Sequence, residues 1–315
     1  MSTGKSIKLF LADGTPGGII TAEIMNWTGH VLAAPRSRLA DLLQRPEASR
    51  PGLYILLGEK PHGDEQLAYI GETENISERL TQHARPEDKG GKDFWHRVLV
   101  ITSKDANLTK GHLRFVESRL ISIALAANRI ALENSKGTLT EYGMLPEADR
   151  ADMLYFIEQI RLVLPVLGLE LLRETPTLPS NEVGSNVSHS PQFVLAAPKL
   201  GITAKAQEVD GEFVVQADSL AKATWTEKNW NNGYSKLHEQ LQQHGVLVPA
   251  SDGLLRFASE HAFSSASAAS AVIMGRADNG RKSWKLQGST LNYGEWQAQQ
   301  LEAQLLKNTA QQHKG

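Results

Sequence analysis

The chain has 315 residues, no cysteine, a formal net charge of −2 and a pI near 6.6. The absence of cysteine excludes disulfides, thiolate zinc sites and cysteine nucleophiles. Because the charge is nearly balanced, any affinity for nucleic acid or an anionic membrane has to come from local patches. The length allows roughly two domains. No signal peptide and no apolar run of membrane-spanning length is visible, so we predict a cytoplasmic protein.

The first fifty residues combine extended stretches with a glycine-rich turn, DGTPGG, and we interpret residues 1–50 as an N-terminal extension that packs on the next domain. The turn lacks the Gly-Lys-Ser/Thr ending of a phosphate-binding loop. A hairpin is predicted next, over residues 53–57 and 67–70. Its connection is polar and rich in Gly and Pro, as an exposed loop should be.

The segment after the hairpin predicts a helix with Asn75 as its N-cap and Glu78 at the N3 position of a capping box. Arg79 and His83 lie four residues apart, on a different face from the apolar stripe. Two exposed polar residues would be the simplest interpretation. An arginine there could also grip a phosphate, and a histidine could exchange a proton near neutral pH.

Glu117 has the most informative position in the chain. In the helix predicted after Thr109 it falls within the apolar stripe formed by Leu113, Leu120, Ile121 and Ala124. Because burial of an unpaired carboxylate is costly, we expect it to have a cation or a metal as a partner. The alternatives are a structural ion pair, for example with Arg79, or a place at the rim of the core.

Taken in order, Gly52-Leu53-Tyr54, Tyr69-Ile70-Gly71, Arg79, Glu117 and Asn134 resemble the GIY-YIG nuclease superfamily. The first tripeptide has leucine where the family name has isoleucine, a volume-conserving exchange. The second tripeptide is intact. The resemblance covers residues 51–135, less than a third of the chain.

The resemblance implies an α+β fold, with a small three-stranded antiparallel sheet flanked by helices. It makes Glu117 the only protein ligand of Mg²⁺ or Mn²⁺ and Tyr54 the general base that activates water. An unperturbed tyrosine, with a pKa near ~10, is a poor base at neutral pH. It would therefore need help from the metal, from Arg79, which would stabilise the transition-state charge, and from His83, hypothesised as proton acceptor.

The same resemblance gives supporting roles to four further residues. Tyr69 would hydrogen-bond the phosphate or the attacking water, and Asn134 would brace the site. Gly52 and Gly71 would be structural, with Gly71 allowing close approach of the backbone.

The rest of the chain is predicted as a helical extension (136–173), a Ser-, Pro- and Asn-rich linker (174–192), a second small α+β domain (193–297) and a partly disordered helical tail (298–315). The second domain resembles a domain of uncharacterised function that often follows GIY-YIG modules in bacteria. It is also similar to a domain associated with restriction enzymes and adenine methylases.

Four cations in the second domain, Arg276, Arg281, Lys282 and Lys285, give its residues 266–296 a local charge of +2. They could contact nucleic acid, or they could serve only solubility.

The function expected from these features is metal-dependent DNA endonuclease activity, with the second domain selecting the target. One alternative is a nucleic-acid-binding adaptor that keeps the fold with little or no activity, and another is a protein-interaction scaffold. RNA as a substrate, the oligomeric state and the pathway (repair, mobile element, restriction or defence) stay open.

Overall fold

A computed structural model describes residues 4–60, 65–105, 107–134, 145–174, 176, 190–226, 233–250 and 253–312. The chain forms two compact units, Met1–Glu174 and Thr175–Gly315. The first unit includes the predicted segments 1–50, 51–135 and 136–173. Most of the predicted linker, 174–192, lies outside the described residues.

The first unit combines seven strands with four α-helices among its described residues. In chain order these are β1 (Ile7–Leu11), β2 (Ile20–Ile24), β3 (Gly29–Pro35), α1 (Leu39–Leu43), β4 (Gly52–Glu59), β5 (Gln66–Thr73), α2 (Ile76–His83), β6 (Trp95–Ser103), α3 (Lys110–Ala127), β7 (Ala131–Leu132) and α4 (Glu147–Val166). The strands form one sheet in the order β1-β2-β3-β6-β4-β5-β7.

This sheet is larger than the three-stranded sheet that we predicted. The strands β6, β4 and β5 are antiparallel neighbours at its centre. However, β3 pairs with β6 along its whole length, from Gly29 opposite Ser103 to Pro35 opposite Arg97, and β2 and β1 follow. The N-terminal residues thus extend the central sheet instead of packing on it, because β3 is apolar on both faces and needs a covered position.

Apolar side chains cover both faces of the seven-stranded sheet. One face packs against α3 and α4 through residues such as Leu53, Ile70 and Leu120. The opposite face packs against α1 and α2 through residues such as Leu56 and Leu80. Because side chains alternate along a strand, neighbouring residues of β4 and β5 serve different faces. This alternation decides where each predicted site residue lies.

The second unit contains two sheets. Its elements are β8 (Phe193–Ala197), β9 (Ile202–Val209), β10 (Glu212–Val215), β11 (Leu220–Lys222), α5 (Gly233–Gln243), β12 (Leu247–Pro249), β13 (Leu254–Phe257), β14 (His261–Phe263), α6 (Ala266–Met274), α7 (Gly280–Ser283), β15 (Lys285–Leu286) and α8 (Tyr293–Gln312). The sheets have the orders β14-β10-β9-β8-β15 and β11-β13-β12.

Aromatic residues fill the core of the second unit. Phe193, Phe213 and Trp284 are completely or almost completely buried. The Trp284 indole donates a hydrogen bond to the Ala266 carbonyl at 3.1 Å, which ties α7 to the first turn of α6. The final helix starts at Tyr293, so the predicted boundary at residue 298 falls inside α8. Residues 313–315 lie outside the described residues. Within the described parts of both units, no helix is long and apolar enough to cross a membrane.

Candidate active site

The two tyrosines of the motif lie on the face of the sheet that α2 covers. In the β4–β5 pair, Tyr54 is opposite Gly71, and Leu56 is opposite Tyr69. The rings of Tyr54 and Tyr69 stack with centroids 6.0 Å apart. Tyr54 is only 1% exposed, so its hydroxyl can interact only with groups that the fold brings to it.

The helix α2 brings two of those groups. The Asn75 side chain accepts a hydrogen bond from the Glu78 amide, which confirms the predicted N-cap. The Glu78 carboxylate accepts a hydrogen bond from the Asn75 side-chain amide at 2.9 Å. In the predicted capping box it would accept from the Asn75 backbone amide instead. The cap fixes the start of the helix and thereby the direction in which Arg79 and His83 project.

Arg79 and His83 both contact the Tyr54 hydroxyl. The Arg79 Nε donates to the phenolic oxygen at 3.1 Å, and Arg79 Nη1 donates to Gln82 Oε1 at 3.0 Å. The His83 Nε2 lies 2.9 Å from the same oxygen. Two side chains of α2 therefore converge on one oxygen atom of β4.

The protonation states of this cluster follow from its burial. Burial and the neighbouring Tyr69 raise the pKa of Tyr54, and Arg79 opposes that shift. Burial, together with the charges of Arg79 and Lys92, lowers the pKa of His83 to about 4. At neutral pH the phenol is protonated and the imidazole is neutral. The hydroxyl therefore donates its hydrogen bond to His83 Nε2 and accepts the one from Arg79.

The lowered pKa of His83 predicts a loss of stability in mild acid. In the unfolded chain the imidazole takes up a proton near its ordinary pKa of 6.5, whereas the folded protein resists it down to about 4. Stability is therefore lost as the pH falls from 6.5 to 4, by up to roughly 3 kcal/mol. Urea unfolding at pH 7.5, 5.5 and 4.5 measures this. The His83→Asn variant should show a smaller pH dependence, whereas the exposed His96→Asn control should match wild type.

Asn134 and Glu117 lie along the outer edge of β5. The short strand β7 pairs with Leu67 and Ala68, and no other strand of the described residues pairs along this edge. The Asn134 side chain donates to the Ile70 carbonyl at 2.6 Å, and its Oδ1 accepts from the Ile70 amide at 3.4 Å. Two residues further along β5, the Glu72 amide donates a hydrogen bond to Glu117 Oε1 at 3.1 Å. The two side chains thus hydrogen-bond the β5 backbone where a neighbouring strand would otherwise do so.

Glu117 has the environment that its place in the apolar stripe predicts, and among the described residues its hydrogen-bond partner is not a protein cation. Its four stripe neighbours on α3 are buried, and Glu117 itself is half-buried. Within the described residues it makes no ion pair, and its bonded partner is a backbone amide. Burial and the nearby Glu72 carboxylate raise its pKa to about 7, against smaller opposing effects of the Glu72 amide, Arg114 and Arg79.

The residues around Glu117 fit a hard divalent cation. Glu117 and Glu72 place two carboxylates close enough to repel each other, and Mg²⁺ is commonly held by one or two carboxylates together with waters and substrate phosphates. No group of three or more such ligands occurs in the described part of the chain. A cation here would therefore depend on water and substrate for its other ligands.

Two residues near the site were missed in the sequence analysis. Glu72 directly follows the second tripeptide and shares the α3 side with Ile70, so the two-residue period of β5 could have revealed it. Lys92 lies in an irregular loop with no such period. Its Nζ lies 4.4 Å from the centroid of the Tyr69 ring and 2.7 Å from Glu133 Oε1. It adds positive charge beside the tyrosines.

Glycine is required at position 71 because the Tyr54 hydroxyl occupies the space of a side chain. A Cβ at Gly71 would lie 2.3 Å from the Tyr54 oxygen. We expect Gly71→Ala to displace the phenol and to cost about 1–3 kcal/mol of stability. Thermal unfolding measures this loss. Gly17→Ala, in the turn between β1 and β2, provides a comparison that should leave stability nearly unchanged, since its added Cβ meets no atom within 4 Å and its backbone is not left-handed.

Gly52 has a packing role. A Cβ there would lie 2.5 Å from the Ile101 carbonyl oxygen and 2.7 Å from the Ile76 Cδ1. The glycine therefore allows α2 to pack closely on the start of β4.

Two of the four cations predicted to contact nucleic acid line different cavities. Arg276 follows the end of α6 and lines one groove together with Lys199 and Lys222. Arg281 and Lys282 belong to α7, and Arg281 lines another cavity together with Glu208 and Tyr293. Lys285 lies in β15.

Comparison with known proteins adds one assignment. Residues 193–297 match a family described as Domain of unknown function (DUF4357). These bounds are the same as those of the predicted second domain. No match to the GIY-YIG family is found for the first unit. No curated protein and no solved structure matches the chain.

Proposed function

We propose that the first unit is a metal-dependent endonuclease that hydrolyses phosphodiester bonds in DNA. The observation that carries this proposal is the convergence of Arg79 and His83 on the Tyr54 hydroxyl, beside a strand edge where Glu117 is held with a raised pKa. Perturbed titratable groups that converge in this way are typical of catalytic sites. The antiparallel neighbours β6, β4 and β5 are compatible with the three-stranded sheet that the GIY-YIG resemblance implies.

His83 and Tyr54 would move the proton of the attacking water. The neutral His83 Nε2 takes the phenolic proton while the Tyr54 oxygen takes a proton from water. The resulting hydroxide attacks phosphorus, and the bond to the 3′-oxygen breaks. Because the pKa of the phenol is raised, this transfer depends on positive charge beside the phenolic oxygen, which Arg79 supplies.

Arg79 would also stabilise the substrate. Its Nε donates to Tyr54 and its Nη1 to Gln82, and its charge also interacts with Tyr69. The guanidinium carries five N–H donors, so it can bond a phosphate oxygen and stabilise the charge that develops on it. A Mg²⁺ or Mn²⁺ ion held by Glu117, with Glu72 next to it, would supply Lewis-acid stabilisation of the leaving oxygen.

The adaptor alternative draws on one specific observation, the burial of Tyr54. A phenol that is 1% exposed and has a raised pKa is a weak base until substrate and metal change its surroundings. An adaptor with this structure would bind DNA with the usual salt dependence and would not cut it. We assign target selection to residues 193–297 in either case.

A substrate panel tests the proposal. Purified protein is incubated with plasmid, linear, branched and single-stranded DNA in Mg²⁺, Mn²⁺ or EDTA. We expect nicking or cleavage that requires the metal and falls at least a hundredfold in Arg79→Ala. The exposed Arg85→Ala should retain activity. Salt-sensitive binding without cleavage of any substrate would favour the adaptor, and equal activity of both variants would indicate a contaminating nuclease.

A further inference from the structure

A groove in the second unit combines cationic and apolar side chains. It has a volume of about 520 Å³, within the range of small-ligand sites. It is formed by the turn after β8, the end of β11 and the end of α6. The lining residues are Ala197, Pro198, Lys199, Leu200, Lys222, Thr226, Met274 and Arg276.

The charged residues that line this groove are all cationic. Lys199, Lys222 and Arg276 lie around it, and no Asp or Glu is among the described lining residues. In a chain whose net charge is −2, three cations with no acidic residue among the described lining residues form a distinct local site. Within the described residues, the side chains of Lys199 and Arg276 have no hydrogen-bond or ion-pair partner. Their donors are therefore free for an anionic ligand.

The packing of Gly275 and a chain of hydrogen bonds position Lys222 in the groove. Gly275 ends α6 in a left-handed conformation with φ of +59°, and a Cβ there would lie 2.6 Å from the Thr224 carbonyl oxygen and 3.2 Å from the Lys222 Cδ. The end of α6 therefore packs closely on Lys222, and Arg276 follows directly in the chain. The Lys222 Nζ donates to the Thr226 hydroxyl at 2.6 Å, and that hydroxyl donates to the Gly275 carbonyl at 3.0 Å. The Lys222 ammonium is thus positioned before any ligand binds.

The groove also has an apolar side suited to a base or a sugar. Pro198, Leu200 and Met274 line it next to the cations, and Leu200 is 43% exposed. In a duplex the base faces are stacked inside the helix, whereas a single strand presents a phosphate and an unstacked base together. We propose that this groove binds single-stranded nucleic acid, with a phosphate at Lys199, Lys222 and Arg276 and the adjoining base or sugar on Leu200 and Met274.

The choice of nucleic acid over other phosphate ligands rests on the proposed nuclease function, but the binding test does not need catalysis. The full chain is titrated in EDTA against a fluorescein-labelled twelve-nucleotide thymidine strand, at several salt concentrations, and anisotropy gives Kd. The groove variant is Lys199→Ala with Arg276→Ala. Its matched control is Lys205→Ala with Arg256→Ala, which likewise removes one lysine and one arginine of the same unit, at positions that do not line the groove.

We expect the groove variant to raise Kd roughly tenfold and to reduce the slope of log Kd against log salt by ~1.4, since each lost phosphate contact to a single strand is worth about 0.7. The control should change Kd less than twofold. Leu200→Ser should weaken binding of the thymidine strand more than that of an abasic strand of the same length. Thermal unfolding of each variant verifies that the fold is intact.

Equal losses in the groove and control variants would overturn the inference, because they would show that only net charge matters. An unchanged Kd in the groove variant would overturn it as well. If the protein binds the strand through the groove in EDTA but cuts no DNA in Mg²⁺, the proposed nuclease function is wrong. The assignment of the groove as a site for single-stranded nucleic acid is then still supported. If it cuts DNA while the groove variant binds like wild type, only the groove assignment fails.

Discussion

Glu117→Gln should abolish metal-dependent cleavage and at the same time make the metal-free protein more stable at pH 8. The loss of activity, about a thousandfold or more, follows from removal of the negative charge that would hold the cation. The gain in stability has a separate cause. The folded protein raises the pKa of Glu117 to about 7, against an ordinary value of 4.5, so above pH 7 the charged carboxylate opposes folding.

The sign and pH range of this stability change can be stated in advance. A glutamine keeps the acceptor for the Glu72 amide but carries no charge, so the free energy of unfolding at pH 8 should rise by roughly 1–2 kcal/mol. The gain should shrink as the pH falls from 7 toward 4.5, because the wild-type carboxyl then becomes protonated in the folded state. Urea unfolding in EDTA at pH 8 and pH 5 measures it.

Two comparisons keep this prediction specific. Glu158→Gln, on the exposed side of α4, should change neither activity nor the pH dependence of stability. Added Mg²⁺ should stabilise wild type and have no effect on Glu117→Gln, because only a folded protein that binds the ion gains stability from it. If Glu117→Gln is less stable than wild type at pH 8, the carboxylate stabilises the fold. It would then not be a metal ligand that destabilises the metal-free protein.

Tyr54→Phe should reduce cleavage by about 10²–10⁴-fold, the usual range for removal of a general base. The ring is kept, so its stacking on Tyr69 persists. The Arg79 Nε and His83 Nε2 each lose a hydrogen-bond partner in a buried setting, which should cost about 1–3 kcal/mol of stability. Single-turnover cleavage and thermal unfolding separate the two effects.

The exposed Tyr155 supplies the matched control for Tyr54, since it is 51% exposed on α4. Tyr155→Phe should leave both measurements unchanged. If Tyr54→Phe cuts DNA as fast as wild type while losing stability, Tyr54 is a packing residue whose hydroxyl only joins α2 to the sheet.

Local chemistry made parts of this fold predictable. The hairpin, the Asn75 cap and the apolar stripe around Glu117 all follow from patterns within a single element or between two consecutive elements. The seven-stranded sheet does not, because it depends on the pairing of β3 with β6, which are far apart in the chain. Pairing register between distant strands leaves no short-range signal when both strands are apolar on both faces.

The candidate site was partly predictable for a similar reason. The spacing of Arg79 and His83 placed them on one face of α2, and only the family resemblance, not the spacing, brought them to Tyr54. For Glu117, the helical period indicated a buried carboxylate and left its partner open. That partner, the Glu72 amide, is available only because β7 is too short to cover the edge of β5.

The central claim is that Tyr54, on the α2 face of the sheet, and Glu117, at the edge of β5, belong to one active site. Single-turnover cleavage by Tyr54→Phe, Glu117→Gln and the double variant tests it most directly. If they act in one site, the double variant should be about as slow as the slower single variant, because effects of residues that work as a unit do not add. A double variant slowed by the product of the two single effects would contradict the claim.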